Sequence, residues 1–251
     1  MPDKATRPVV LVLGATGGIG AELCRQLAAN DCVVVPASRA QSMPLHLVEA
    51  LGAQQFHTVD ATHPDQVEQC IDEVVARNGR LDGVAHCVGS VLLKPAHSTS
   101  DHEWNDTINI NLTSAFYVLR AATQAMRATG GSIVLVSSVA ARRGLSNHEA
   151  IAAAKAGIIG LTLSAAATYA RHAIRVNCVA PGLVRTPLTQ SITGNEAALR
   201  YSTSLHALRR IGEPAEVASA IRWLLDPAQS WVTGQVIGVD GGLASIQPTN
   251  N

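Results

Sequence analysis

A chain of 251 residues that is 47% apolar, 15% charged and 3% aromatic can bury a full core in one or two domains, which excludes a disordered segment or a stapled miniprotein. Nineteen Lys and Arg balance nineteen Asp and Glu, so no basic field is available for nucleic acid or an anionic membrane. The charged share lies below the roughly 25% common in soluble domains, as expected where neighbouring subunits cover part of the surface.

Residues 1–8 carry charge, but the apolar run behind them, VVLVLG, is six residues long. That is too short for a secretory signal, and no run of about 18 apolar residues follows, so a cytoplasmic protein is expected. VVLVL at 9–13 is the first predicted strand. It leads into Gly14-Ala15-Thr16-Gly17-Gly18-Ile19-Gly20 and an amphipathic helix over 19–29. Glycines at a strand-to-helix junction let the backbone turn sharply and approach a pyrophosphate, while the free N–H groups of the helix start favour an anion. A dinucleotide is therefore the expected ligand.

Further strands are predicted at 32–37, 55–59, 83–88, 132–137, 174–180 and 235–240, and helices at 43–51, 64–78, 102–128, 149–171 and 214–226. Strands apolar at nearly every position suit a parallel sheet buried on both faces. The repeating strand-helix order predicts a single α/β domain built on a doubly wound Rossmann-type parallel sheet of about seven strands. The segment 182–212 has too few strand formers to join the sheet and is expected to be a partly helical lid. Five cysteines, odd in number and without a CxxC pair, argue against a disulfide framework and against a bound metal. Cys32, Cys87 and Cys178 lie in apolar runs and are expected in the core.

The glycine spacing, G-x-x-x-G-x-G, resembles that of the short-chain dehydrogenase/reductase family, and the resemblance extends over nearly the whole chain. HCVG at 86–89 stands where the family has NNAG, NIN carries Asn111, VLVSS carries Ser138, and PGLVRT at 181–186 resembles the segment that lines the nicotinamide. The resemblance implies a catalytic set of Asn111, Ser138 and Lys155. It assigns the cofactor to Gly14, Thr16, Gly18, Ile19 and Gly20 in the loop, to Ser38 and Arg39 after the second strand, and to Asp60 and Ala61 after the third. Val88 and Gly89, Lys155, and Pro181, Gly182, Val184 and Thr186 complete that site. A homotetramer acting on a small-molecule substrate is implied as well.

An NAD site needs a carboxylate at the end of the second strand, whereas a 2′-phosphate needs a cation there. The chain reads Ala37-Ser38-Arg39, with no carboxylate before Glu49, so NADP(H) is the expected cofactor; the alternative is that Arg39 is a solvated loop residue. The family's Tyr-x-x-x-Lys pattern is broken, because four residues before Lys155 stands Ile151. An alkyl group moves no proton. His148, three residues before Ile151 and seven before Lys155, falls on the same helical stripe, at the spacing of the Tyr in the family's enoyl-thioester-reductase branch. It is either the substitute acid or a half-exposed residue near a helix start.

Tyr117 and Tyr169 lie too far along their helices, Tyr201 sits in the lid, and Arg142 and Arg143 follow Ser138 where substrates would enter. Val91, Leu92, Leu93, Leu145, Leu183 and Leu188 suggest an apolar pocket. Two functions are compatible with this set: an NADP(H)-dependent oxidoreductase of a carbonyl or activated double bond, and a silent NADP(H)-binding protein that serves as sensor or oligomer partner. Ala-rich faces of the long helices, such as Ser164-Ala165-Ala166-Ala167, are candidate subunit contacts.

Overall fold

The computed structural model describes residues 7–51 and 55–247. The charged start of the chain on which the signal-sequence reading rests lies mostly outside them. β1 (Val9–Leu13), β2 (Val33–Ser38), β3 (His57–Thr58), β4 (Gly83–His86), β5 (Gly131–Val136), β6 (Ile174–Pro181) and β7 (Val236–Val239) form one sheet in the order β3-β2-β1-β4-β5-β6-β7. Every pairing is parallel. The chain alternates these strands with α1 (Gly18–Ala28), α2 (Leu45–Leu51), α3 (Pro64–Asn78), α4 (Asp101–Ile108), α5 (Ser114–Ala125) and α6 (Glu149–Tyr169). α7 (Gln190–Thr193), α8 (Glu196–Leu205) and α9 (Pro214–Leu225) follow β6.

The two-residue period of a strand divides the core between the sheet's faces. Val9, Leu11 and Leu13 point to one side, where Ile71, Val118 and Ile158 from α3, α5 and α6 cover them. Val10 and Val12 point to the other, against Leu23 and Leu27 of α1 and Ile221 and Leu224 of α9. Strand order reverses between β1 and β4, and the crevice at their carboxyl ends is where a doubly wound sheet binds ligands.

Several expectations change in detail. The helix expected over 102–128 is α4 and α5 joined by a π-helical turn, Asn109–Thr113, and it ends at Ala125. β4 stops at His86, which releases Cys87, Val88 and Gly89 into the crevice. Cys87 and Cys32 are only partly buried and pack at the margin of the core, while Cys24, Cys70 and Cys178 are fully buried. The segment 182–212 contains the short helices α7 and α8, closed at its base by a bridge between Val184 and Gly212. α6 and the turn after it are long and apolar enough to cross a membrane by length and composition, but the inner side of α6 packs against β6. Of the tetrapeptide proposed as a contact face, Ala165 and Ala166 turn into this chain's own core, leaving Ser164 and Ala167 outside.

Candidate active site

The crevice is built on β1. Gly14 takes φ +80, and a Cβ there would lie 2.8 Å from the Cys87 carbonyl carbon and oxygen, so only glycine lets this turn pass the end of β4. At Gly20 a Cβ would meet the Gly14 carbonyl oxygen at 2.2 Å. α1 starts at Gly18 with no side chain capping it, which leaves its first N–H groups open to an anion. Thr16, Gly18, Ile19, Ser38, Arg39 and Ala61 line this side, a space of about 700 Å³. Among the described residues no carboxylate lines it. The Ser38 hydroxyl accepts from the Ala40 N–H at 3.1 Å, and Arg39 is exposed.

Asp60, expected on the adenine, is engaged elsewhere. Its Oδ1 accepts from the Thr62 N–H at 3.0 Å and the Thr62 hydroxyl at 2.7 Å, and the crevice wall is formed by its neighbours Val59 and Ala61. Partial burial would raise this carboxyl, but the two Thr62 donors and the charge of Arg39 hold it below the usual range.

Beyond Gly89 the crevice widens into a chamber of about 610 Å³. Ile19, Cys87, Val88, Gly89, Thr186 and Leu188 border both spaces. Asn111 comes from the π-helical turn, whose wider winding turns a buried amide towards the chamber floor. Its Oδ1 accepts from the Ser90 N–H at 3.0 Å, while its Nδ2 donates to Ser90 Oγ at 2.8 Å and to the Thr107 carbonyl at 3.0 Å. Ser138 follows the end of β5; its Oγ accepts from the Ala140 N–H at 3.2 Å, which leaves its own proton free to donate.

Lys155 on α6 is buried, and its Nζ donates to the Val136 carbonyl at 3.0 Å. The Ser137 hydroxyl donates to the Lys155 carbonyl at 2.7 Å, so strand and helix are clasped at this point. A Cβ on Gly89 would lie 3.1 Å from Asn111 Oδ1 and 3.5 Å from Lys155 Nζ, which brings amide and ammonium together at the neck between the two spaces. Burial lowers Lys155 to about 8, although the neighbouring thiols of Cys178 and Cys87 work in the opposite direction. Burial also pushes the Cys87 thiol up to about 12. The thiol stays protonated at neutral pH and is no nucleophile.

Ile151 is buried in the chamber wall, one helical turn before Lys155. His148 precedes α6 at the chamber's edge; its Nδ1 donates to the Ser146 carbonyl at 2.7 Å, so Nε2 is the nitrogen free to exchange a proton. Pro181, Gly182 and Val184 close the opposite wall, and the Thr186 hydroxyl meets that of Thr189 at 3.1 Å. Tyr201 of α8 also lines the chamber, but is 67% exposed.

Of the residues expected on cofactor and substrate, all but Asp60 line one of these two spaces. Among the apolar candidates Leu92 does not, although Val91 and Leu93 beside it do. Arg142 and Arg143 do not either: Arg143 donates to the Leu243 carbonyl and Arg142 lies against Gly238. Tyr117 and Tyr169 are remote, as their helices require.

Three further residues hold the site together. Ser90 pairs with Asn111, and Val136 supplies the acceptor for Lys155. His206 is buried at the base of the lid, where its Nδ1 donates to the Ser202 carbonyl at 2.7 Å and its Nε2 accepts from the Leu183 N–H at 3.3 Å. The doubled serine of VLVSS hints at the clasp between Ser137 and Lys155; a lone histidine in an irregular segment carries no comparable signal.

A protein-family model described as enoyl-(acyl carrier protein) reductase matches residues 14–244. The 3-oxoacyl-[acyl-carrier-protein] reductase FabG of Thermotoga maritima is 35% identical over 240 residues, covering 94% of this chain and 97% of that protein. Among solved structures, a short-chain type dehydrogenase/reductase from Mycobacterium ulcerans is 33% identical with a TM-score of 0.87, over 96% of this chain and 91% of the other. ElxO with NADP bound is 28% identical with a TM-score of 0.90, over 96% of this chain and all of the other.

Proposed function

Because the chain belongs to the short-chain dehydrogenase/reductase family of oxidoreductases, we propose that it is an NADP(H)-dependent oxidoreductase acting on a carbonyl or an activated carbon–carbon double bond. The observation that carries this reading is the neck at Gly89, where a glycine-cradled anion crevice opens onto a chamber with Ser138 and Lys155 in its lining.

The crevice fits a dinucleotide. The Gly14 turn and the open start of α1 suit a pyrophosphate, and Arg39 with Ser38 suits a 2′-phosphate in a wall without carboxylates. ElxO, a neighbour in fold, has NADP bound. Val59 and Ala61, on either side of Asp60, would border the adenine end. Pro181, Gly182, Val184 and Thr186 would bound the nicotinamide, and Lys155 would reach its ribose. When bound, the nicotinamide supplies or accepts the hydride.

The Ser138 hydroxyl donates to the substrate oxygen. The Lys155 ammonium stabilises negative charge as it develops on that oxygen, in a floor from which burial removes water. Asn111, fixed by Ser90 and Thr107, orders the polar end of the chamber. Ile151 offers no proton, so His148 Nε2 is the proposed acid. Five cysteines, none paired among the described residues, agree with a reducing, cytoplasmic setting.

Ile151 also supports the second reading, a silent NADP(H)-binding partner. NADPH and NADH titrations, followed by NADPH oxidation on a broad carbonyl and enone panel, separate the two. Preferential NADPH binding that falls about 10- to 100-fold in Arg39→Ala, as a charge-assisted contact requires, together with turnover, supports the oxidoreductase. Binding without turnover supports the silent partner, and equal affinity for both nucleotides defeats the NADP(H) assignment.

A further inference from the structure

The chamber has an unusual charge inventory. Among the described residues its lining contains no Asp, Glu or Arg; Lys155 is its one lysine, and His148 at the edge adds a positive charge only when protonated. The Lys155 ammonium is held by the Val136 carbonyl at the neck, at the reacting end of the space. Three cations next in sequence to lining residues have other partners. Lys94, after Leu93, bonds both oxygens of Glu103 at 2.9 and 2.8 Å. Arg185, between Val184 and Thr186, pairs with Glu213 at 3.3 Å. Arg200, before Tyr201, pairs with Glu196; Arg142 and Arg143 do not line the chamber.

Away from the neck the wall is hydrocarbon, with Val91, Leu93, Leu145, Ile192, Leu205 and Leu243 supplying most of it. The lid adds neutral hydrogen-bonding groups, Ser191, Asn195, Tyr201 and Ser202. Against the hydrocarbon wall an ionised carboxylate or phosphate would lose water and find no counter-charge beyond Lys155 at the neck and His148 at the edge, whereas a hydroxyl or second carbonyl would find a partner on the lid.

Building on the oxidoreductase reading, we infer that the substrate is an uncharged, mostly hydrocarbon ketone or enone with a neutral polar group at the end remote from the reacting carbon. Ketones that would carry a carboxylate into the hydrocarbon part of the chamber are disfavoured.

Matched pairs that differ only in charge test this: the methyl esters and free acids of 4-oxocyclohexanecarboxylate, of a keto-decalin carboxylate and of an acetylbenzoate. Calorimetric binding at pH 7.5, on the chain alone and with saturating NADPH, is expected to favour the ester about 100-fold or more in at least one pair. Tyr201→Arg, a change at an exposed lid position, is expected to narrow that ratio about tenfold by giving the acid a counter-ion. An acid that binds as tightly as its ester, or the failure of every neutral member to bind, overturns the inference. Failure of NADPH to bind would instead defeat the cofactor reading, and the pairs measured on the chain alone would still decide the chamber's preference.

Discussion

Ile151 and Lys155 carry the chemical question at the scale of single residues. If Ser138 and Lys155 frame a carbonyl site, Ile151→Tyr returns a phenol one turn before the ammonium, and carbonyl reduction should rise by about 10²–10⁴-fold. If His148 Nε2 supplies the proton, His148→Ala should lower the wild-type rate by a similar factor. Initial rates on folded protein that binds NADPH normally check both, and no effect from either change removes the case for chemistry here.

Lys155 should also leave a mark on stability. Burial lowers it from 10.5 to about 8, so below about pH 8 the folded protein bears the full cost of a buried ammonium. That cost fades as pH rises from about 8 to 10.5, over which the cofactor-free protein should gain up to ~3 kcal/mol. The difference in urea midpoints between wild type and Lys155→Met isolates this gain; a difference independent of pH contradicts it.

At the scale of elements, the lid depends on His206. It is 2% exposed, and through its two ring nitrogens it joins α8 to the backbone that leaves β6. His206→Ala should cost about 2–3 kcal/mol in global stability, from the cavity and the two lost bonds. It should also expose 183–212 to limited proteolysis before the rest of the chain unfolds. Equal cleavage rates in variant and wild type would show that the lid is held by other contacts.

The elements were legible in the sequence wherever one periodicity ran unopposed. β1 and the Gly14–Gly20 loop follow from an apolar run meeting glycines, and α6 from an uninterrupted helical stretch that carries Lys155. The π-helical turn left no trace, because one extra residue per turn barely disturbs an apolar pattern spread over 102–128. Pairings across the fold, Ser90 with Asn111 and His206 with Leu183, join residues 21 and 23 positions apart through geometry that no local pattern encodes. Asp60 was misjudged for a local reason: Thr62, two residues on, offers its carboxylate a closer partner than the crevice does.

For the whole molecule, two uncovered apolar faces lie on opposite sides of the sheet. On one, α6 exposes Ala153, Ala156, Gly160 and Ala167 around Leu163, which is 50% exposed, with Phe116 of α5 also exposed. Small residues let another helix approach closely. On the other, Trp223 of α9 is exposed and Trp231, in the loop before β7, is 98% exposed. If each face pairs with its own copy about a two-fold axis, the result is a tetramer with three two-fold axes. Light scattering should give about four times the 26.2 kDa chain mass, and Leu163→Glu or Trp231→Glu alone should halve it. A monomeric wild type refutes the assembly.

The strand order also governs how the chain reaches this state during synthesis. β1 pairs with β2 on one side, but on the other it waits for β4, with Val10 opposite Gly83, and β4 in turn waits for β5, with Gly83 opposite Ser132. A growing polypeptide therefore carries an unfilled apolar edge at the middle of its future sheet until β5, which begins just past the midpoint of the chain, has been delivered. Parallel pairings so far apart in sequence close slowly and leave that edge open to other chains. Recovery of soluble protein should accordingly depend on translation speed and chaperone supply more than on the stability of the finished fold.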